Sequence, residues 1–202
     1  MQTRWSSVLL SALLLTAPGA LNAQVAPDSP MLLPPRSEPG LGIFLIDASG
    51  GGLGGLVLWR SPSNLGFRFG IAEDSGDDVA IFGAIDFVSG LHRETRDLPF
   101  DIDWFLGAGL GVGDNVLISA PLGLTIGHTF PAQGATFTPF FAPRIVLDIF
   151  FFEDPVTGDD ESDADVDVAA DLGIDLRLSG FNPVIRFAAS LGRDAIGVGL
   201  VF

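Results

Sequence analysis

The charged side chains of this sequence recur at every second position. Asp165, Asp167, Asp171, Asp175 and Arg177 alternate with Val166, Val168, Leu172, Ile174, Leu176 and Leu178; Asp101 and Asp103 alternate with Phe100, Ile102 and Trp104. Successive side chains of a strand point to opposite faces, so this spacing gives one charged face and one apolar face. The same parity in neighbouring segments adds Arg60, Arg68, Asp86, Arg144, Asp148 and Arg186 to the charged face. Enclosed together, these groups must pair, because losing one partner of a buried ion pair costs about 3–5 kcal/mol. The chemistry on offer is a structural network of Arg–Asp pairs, or else a narrow polar conduit or small-ligand site in which the excess of Asp favours cations.

Other reactive constellations are weaker. Glu153, Asp154, Asp159, Asp160, Glu161, Asp163, Asp165 and Asp167 supply hard oxygen donors of the kind Ca²⁺ prefers. They lack the spacing of an EF-hand loop, and a solvated, self-repelling loop is the plainer expectation; no metal ligand is assigned. Ser119 and Thr125 share the inward parity, but His92 lies in a turn and His128 at outward parity. No nucleophile has a base on its face, so no catalytic residue and no enzyme activity is expected. Gly107-Ala-Gly-Leu-Gly-Val-Gly113 lacks the Lys-Ser/Thr pair and helix of a phosphate loop and reads as the small inward face of a strand. No cofactor is implied.

The charge balance is ten basic residues, all Arg, against 25 acidic ones, a formal −15, which disfavours nucleic acid as a partner. The absence of Cys excludes thiol catalysis, Cys-ligated metals and disulfides. Arg4, the apolar stretch Val8–Leu15 and the small Ala23 read as a secretory signal peptide over residues 1–23. Residues 24–39, with Pro27, Pro30, Pro34, Pro35 and Pro39, read as an extended periplasmic tail. The folded domain then spans residues 40–202. Mean hydropathy is high at +0.45. Yet beyond the signal no run of about 18 apolar residues is free of charge or turn signals. The best candidate, Gly40 to Trp59, is interrupted by Asp47 and a Gly50-Gly51-Gly52 turn.

What positions the charged face is therefore a set of strands. Period-two patterning predicts about ten of them: 41–48, 53–60, 64–72, 79–89, 100–112, 115–129, 136–152, 164–179, 182–192 and 195–202. If the short, Gly-rich first two are not both strands, the number falls to eight. In the first, placing Asp47 inward would turn Phe44 and Ile46 outward and Leu41, Ile43 and Leu45 inward, so its parity is ambiguous. Pro121 is expected roughly opposite Pro143, with a bulge or weak pairing there, since Pro cannot donate to a ladder.

With both termini on the periplasmic side, the outward aromatics Trp59, Phe67, Phe87, Phe100, Trp104, Phe130, Phe137 and Phe202 gather at one rim, and the acidic loop at the other. Such a band is the signature of a membrane interface. The signal peptide, the alternating strands, the loop asymmetry and the terminal Ile196-Gly-Val198-Gly-Leu200-Val-Phe202 resemble the small bacterial outer-membrane barrels of the OmpA/OmpX-like group. The resemblance covers residues 40–202 and is one of pattern. It implies a closed antiparallel up-and-down transmembrane β-barrel in the outer membrane, lipid as its surroundings, a monomer, and a barrel-assembly machinery that reads Ile196, Val198, Leu200 and Phe202. The expected role is non-enzymatic: envelope integrity, surface interaction or slow solute passage. The alternatives are a soluble lipocalin-like barrel, which would bury the apolar face and expose the charged one, and an outer-membrane lipid-modifying enzyme, which would need Ser119 and an Asp to converge in a pocket.

Overall fold

The computed structural model describes residues 25–74, 79–153 and 160–202. The proposed signal peptide and residues 154–159 of the acidic run lie outside the described residues. The strands are β1 (Gly40–Asp47), β2 (Leu53–Arg60), β3 (Leu65–Glu73), β4 (Val79–His92), β5 (Asp101–Val112), β6 (Val116–Gly127), β7 (Phe130–Ala132), β8 (Ala135–Glu153), β9 (Asp160–Leu178), β10 (Val184–Leu191) and β11 (Ala195–Val201). No helix occurs among the described residues.

All but β7 form a closed antiparallel up-and-down barrel of ten strands, with β1 paired to β11 and β6 to β8. The Gly-rich first two segments are thus both strands, and the count is ten rather than eight. Leu41 and Phe202 exchange backbone hydrogen bonds of 3.1 and 2.8 Å at the β1–β11 seam. The extra strand is the outlying end of β6. It pairs with β8 in the register of β6, Phe130 opposite Phe137 as Gly127 is opposite Phe140. It stands outside the ring because β5 begins at Asp101, opposite Gly127, and offers it no second neighbour.

The apolar face points outward. In β1, Leu45 is 72% exposed while Phe44 and Ile46 are each 2% exposed, so Asp47 is on the outer face and the ambiguous parity is settled. Phe44, Ile46, Leu56, Leu58, Phe82 and Phe140 line one apolar sector of the interior. Leu53, Phe69, Ile71, Leu106, Leu122, Ile145, Val168, Leu172 and Val198 belong to a band of exposed large apolar side chains that runs round the ring.

The proline expectation needs correction. Pro121 lies opposite Val146, because the turn is a tight one at Gln133-Gly134, with Gly134 at φ 79°, rather than a wider loop. Each proline nonetheless interrupts a ladder. Pairing of β5 with β6 lapses between Leu106/Leu122 and Gly109/Ser119, the stretch that contains Pro121. Pairing of β6 with β8 lapses between Gly123/Arg144 and Ile126/Phe141, the stretch that contains Pro143. The missing N–H donor accounts for both gaps.

The largest departure concerns the proline-rich segment. It is extended, as expected, but it is not a tail: residues 25–35 are buried inside the barrel. Ala26 N–H donates to the Ser49 carbonyl at the rim that carries the β1–β2 turn. Arg36 N–H donates to Asp103 near the opposite rim, where β1 begins. The segment therefore runs the length of the lumen, and Val25 and Phe202 stand at opposite rims rather than on one side. Apolar contact drives this. Val25 and Leu32 pack on the Phe44 sector, and Met31 and Leu33 pack with Val88, Phe105 and Ala142.

Phe44→Ala removes a fully buried ring from this sector. It is expected to cost about 3–5 kcal/mol of unfolding free energy, measured by denaturant titration, whereas Leu45→Ala on the outer face should cost far less under the same conditions.

Candidate functional site

The inward parity of β2 to β10 places most of the charged side chains where the sequence expects them, and the tertiary structure pairs them. Arg144 on β8 is the centre. Its Nε lies 2.9 Å from Asp28 of the threaded segment, its Nη1 2.7 Å from Asp171 on β9, and its Nη2 donates to Ser190 Oγ on β10 at 3.1 Å. Asp171 also accepts from Ser190 and, at 2.6 Å, from the backbone N–H of Met31. Ser29 donates to Ser190 at 2.7 Å. All of these side chains are buried.

Three further pairs surround this centre. Arg60 reaches Asp86 at 2.5 Å, with Arg68 3.9 Å from the same carboxylate. Arg186 grips Asp175 with two hydrogen bonds of 2.7 and 2.8 Å and donates a third to the Leu32 carbonyl. Arg193 pairs with Asp148 from the β10–β11 turn and lies 3.9 Å from Asp28. Burial alone would lower the pKa of the Arg193 guanidinium; Asp28 and Asp148 outweigh it and hold the pKa above its ordinary value. Near the rim where β5 begins, Asp101 pairs with Arg36 and Asp103 with Arg93.

Seven inward carboxylates, Asp28, Asp86, Asp101, Asp103, Asp148, Asp171 and Asp175, each have an Arg partner. This corrects the expected excess of inward Asp. Asp165 is exposed and Asp167 is half-exposed beside Arg193, because the β8–β9 hairpin rises above its neighbours: β10 ends opposite Ala170. Arg177 also leaves the network. Its side chain is 51% exposed and pairs with Glu38 at the rim.

Sequence reasoning missed Asp28, Ser29, Met31 and Arg193. Arg193 sits in a turn, where no periodicity speaks for it. The segment did carry a signal: Val25-Ala26 and Met31-Leu32-Leu33 are more apolar than a solvated linker requires.

The seat of the segment is only partly satisfied. Arg68 lies under Met31, with Nη2 at 3.4 Å from its sulfur, while its Nε and Nη1 have no protein acceptor. Asp28 Oδ1 and Arg193 Nε likewise lack a hydrogen-bond partner in the protein.

Ser119 and Asp148 do converge, with Ser119 Oγ donating at 2.5 Å. Both are fully buried and the carboxylate is held by Arg193, so the pair has neither a free base nor an opening for a substrate. His128 faces Glu94 at 3.1 Å and packs edge-on against Phe130, at the rim and away from Ser119. Among the described residues no three His, Asp or Glu gather in a metal-binding arrangement.

The eight aromatics singled out by the sequence pattern fall at one rim through the strand register, while Phe69, Phe141 and Phe187 lie within the outer band and Phe151 toward the other rim. Leu41 is opposite Trp59, Trp59 opposite Phe67, Leu65 opposite Phe87 and Ser89 opposite Trp104. Trp59 stacks on Phe67 with centroids 5.5 Å apart, and Phe87 meets Trp104 at 5.7 Å. Phe100, Phe130, Phe137 and Phe202 are exposed beside them. Comparison with protein-family models, with curated proteins and with solved structures gives no match to this chain.

Arg144→Met leaves Asp171 buried without a cation, and Asp28 with only Arg193 at 3.9 Å, and is expected to cost about 3–5 kcal/mol. Arg177→Ala, at an exposed pair, should cost less than about 1 kcal/mol. Denaturant unfolding of both variants under one set of conditions checks the contrast.

Proposed function

We propose that this protein is an integral outer-membrane β-barrel without enzymatic activity, of the small OmpA/OmpX-like kind. The observation that carries this reading is the polarity of the barrel. Its interior holds paired Arg and Asp together with residues 25–35, while large apolar side chains stand exposed round the ring. Soluble monomers rarely expose a contiguous apolar patch beyond a few hundred Å². A barrel apolar outside and polar inside is what a bilayer requires. The row of Trp59, Phe67, Phe87, Trp104 and Phe130 at one rim supports the same reading, as ring side chains favour the headgroup level.

In this reading lipid covers the outer band, the protein is a monomer, and the assembly machinery reads Ile196, Val198, Leu200 and Phe202. Its role lies in envelope integrity or surface interaction. A lipocalin-like carrier would instead need an apolar ligand space, and the apolar sector here is occupied by Val25 and Leu32.

Cell fractionation with boiled and unboiled gel samples tests the proposal: the protein should stay with the outer membrane and change mobility on heating. Recovery as a soluble periplasmic protein would overturn it. Leu122→Arg, in the middle of β6 on the outer face, gives an energetic check. A bilayer-facing site should lose about 2–4 kcal/mol of stability in lipid. A solvent-facing site should change by about 0.5 kcal/mol or less.

A further inference from the structure

We propose that residues 25–35 are a releasable plug whose withdrawal opens a passage for small ions through the barrel. The proposal rests on the membrane reading above. Four observations carry it.

First, the segment crosses the whole lumen yet belongs to no strand; near one rim Ala26 N–H donates to the Ser49 carbonyl in the β1–β2 turn. It is held mainly by wall side chains. Thr125 donates to the Leu33 carbonyl at 2.7 Å and Arg186 to the Leu32 carbonyl at 2.8 Å.

Second, the wall closes its own charges. Arg60–Asp86, Arg144–Asp171, Arg186–Asp175 and Arg193–Asp148 are all wall-to-wall pairs and need nothing from the segment. Withdrawal would therefore leave these four pairs intact, a charged wall that water can wet beside the apolar Phe44 sector.

Third, the seat is built to admit a chain. Cβ atoms added at Gly109 and Gly111 would meet Pro27 Cβ and the Val25 carbonyl, each at 2.8 Å. A Cβ at Gly127 would meet Pro35 at 2.9 Å, and one at Gly197 would meet Pro30 at 3.0 Å. The small inward faces of β5, β6 and β11 are the groove in which the segment lies.

Fourth, the bound state is imperfect. Leu32, buried and not Gly, has φ 51°, a left-handed backbone that a branched residue adopts only when surrounding contacts impose it. Met31 covers Arg68, whose Nε and Nη1 find no protein acceptor. Both the backbone strain and the covered guanidinium are relieved when the segment leaves and water enters.

The test uses planar bilayers in KCl. The mature chain should show brief openings, and deletion of residues 25–35 should leave the barrel open most of the time. Ser29→Cys with Ser190→Cys supplies a lock, because the two hydroxyl oxygens are 2.7 Å apart and the chain has no other Cys. Oxidation should abolish the openings and a reductant should restore them. A deletion variant that inserts and is heat-modifiable but silent would overturn the proposal. So would a mature chain that inserts and never opens, or an oxidised pair that opens as often as the reduced one. If the deletion variant does not fold, the cysteine pair decides alone. Failure of every form to enter lipid overturns the membrane reading and the plug with it.

Discussion

Arg144 is the group on which the interior depends. Its guanidinium joins β8 to Asp171 on β9, to Ser190 on β10 and to Asp28 of the threaded segment. A cation taken out of water loses several kcal/mol of solvation, and only close anions with good hydrogen-bond geometry offset that loss. The planar fork of Arg provides such geometry to several partners at once from a preorganised frame, where a Lys offers only a compact point charge. The Arg193–Asp148, Arg60–Asp86 and Arg186–Asp175 pairs apply the same solution elsewhere in the lumen.

That solution sets the orientation of every strand. Turning one strand by a single residue would bring its charges to the outer band and strand their partners inside. The apolar outer band and the paired interior are thus two consequences of one register. The interior left by ten strands is too wide for these side chains alone to fill, and the chain fills it with its own residues 25–35. Val25, Leu32, Met31 and Leu33 contribute apolar contact, and Asp28 contributes charge.

Much of this was legible in the sequence because period-two alternation reports which face a residue occupies. Asp86, Asp101, Asp103, Asp148, Asp171, Asp175, Arg60, Arg68, Arg144 and Arg186 all lie on the inward face that alternation assigns them. Alternation fails where the strand outruns its neighbours. Asp165, Asp167 and Arg177 keep the inward parity but sit beyond the enclosed part of the ring, where inward no longer means buried. It is silent on turns and on irregular chain, so Arg193 and Asp28 were not found. The opposition of Pro121 and Pro143 failed for a different reason: it relied on a turn centre, and a tight Gln133-Gly134 turn displaces the register.

Local chemistry by itself determined the strands, their amphipathic faces, the proline-rich extended segment and the set of charges available to pair. Those properties depend on each residue and its near neighbours in the chain. Only the tertiary structure decided which Asp meets which Arg, that ten strands rather than eight complete the ring, and that residues 25–35 lie inside it. Each of these depends on closure, which sets the width of the lumen and brings together residues as far apart as Ser29 and Ser190. Proline content makes such a stretch extended whether it is solvated or enclosed; the space left by the closed barrel is what makes this one, with its apolar Val25 and Met31-Leu32-Leu33, part of the core.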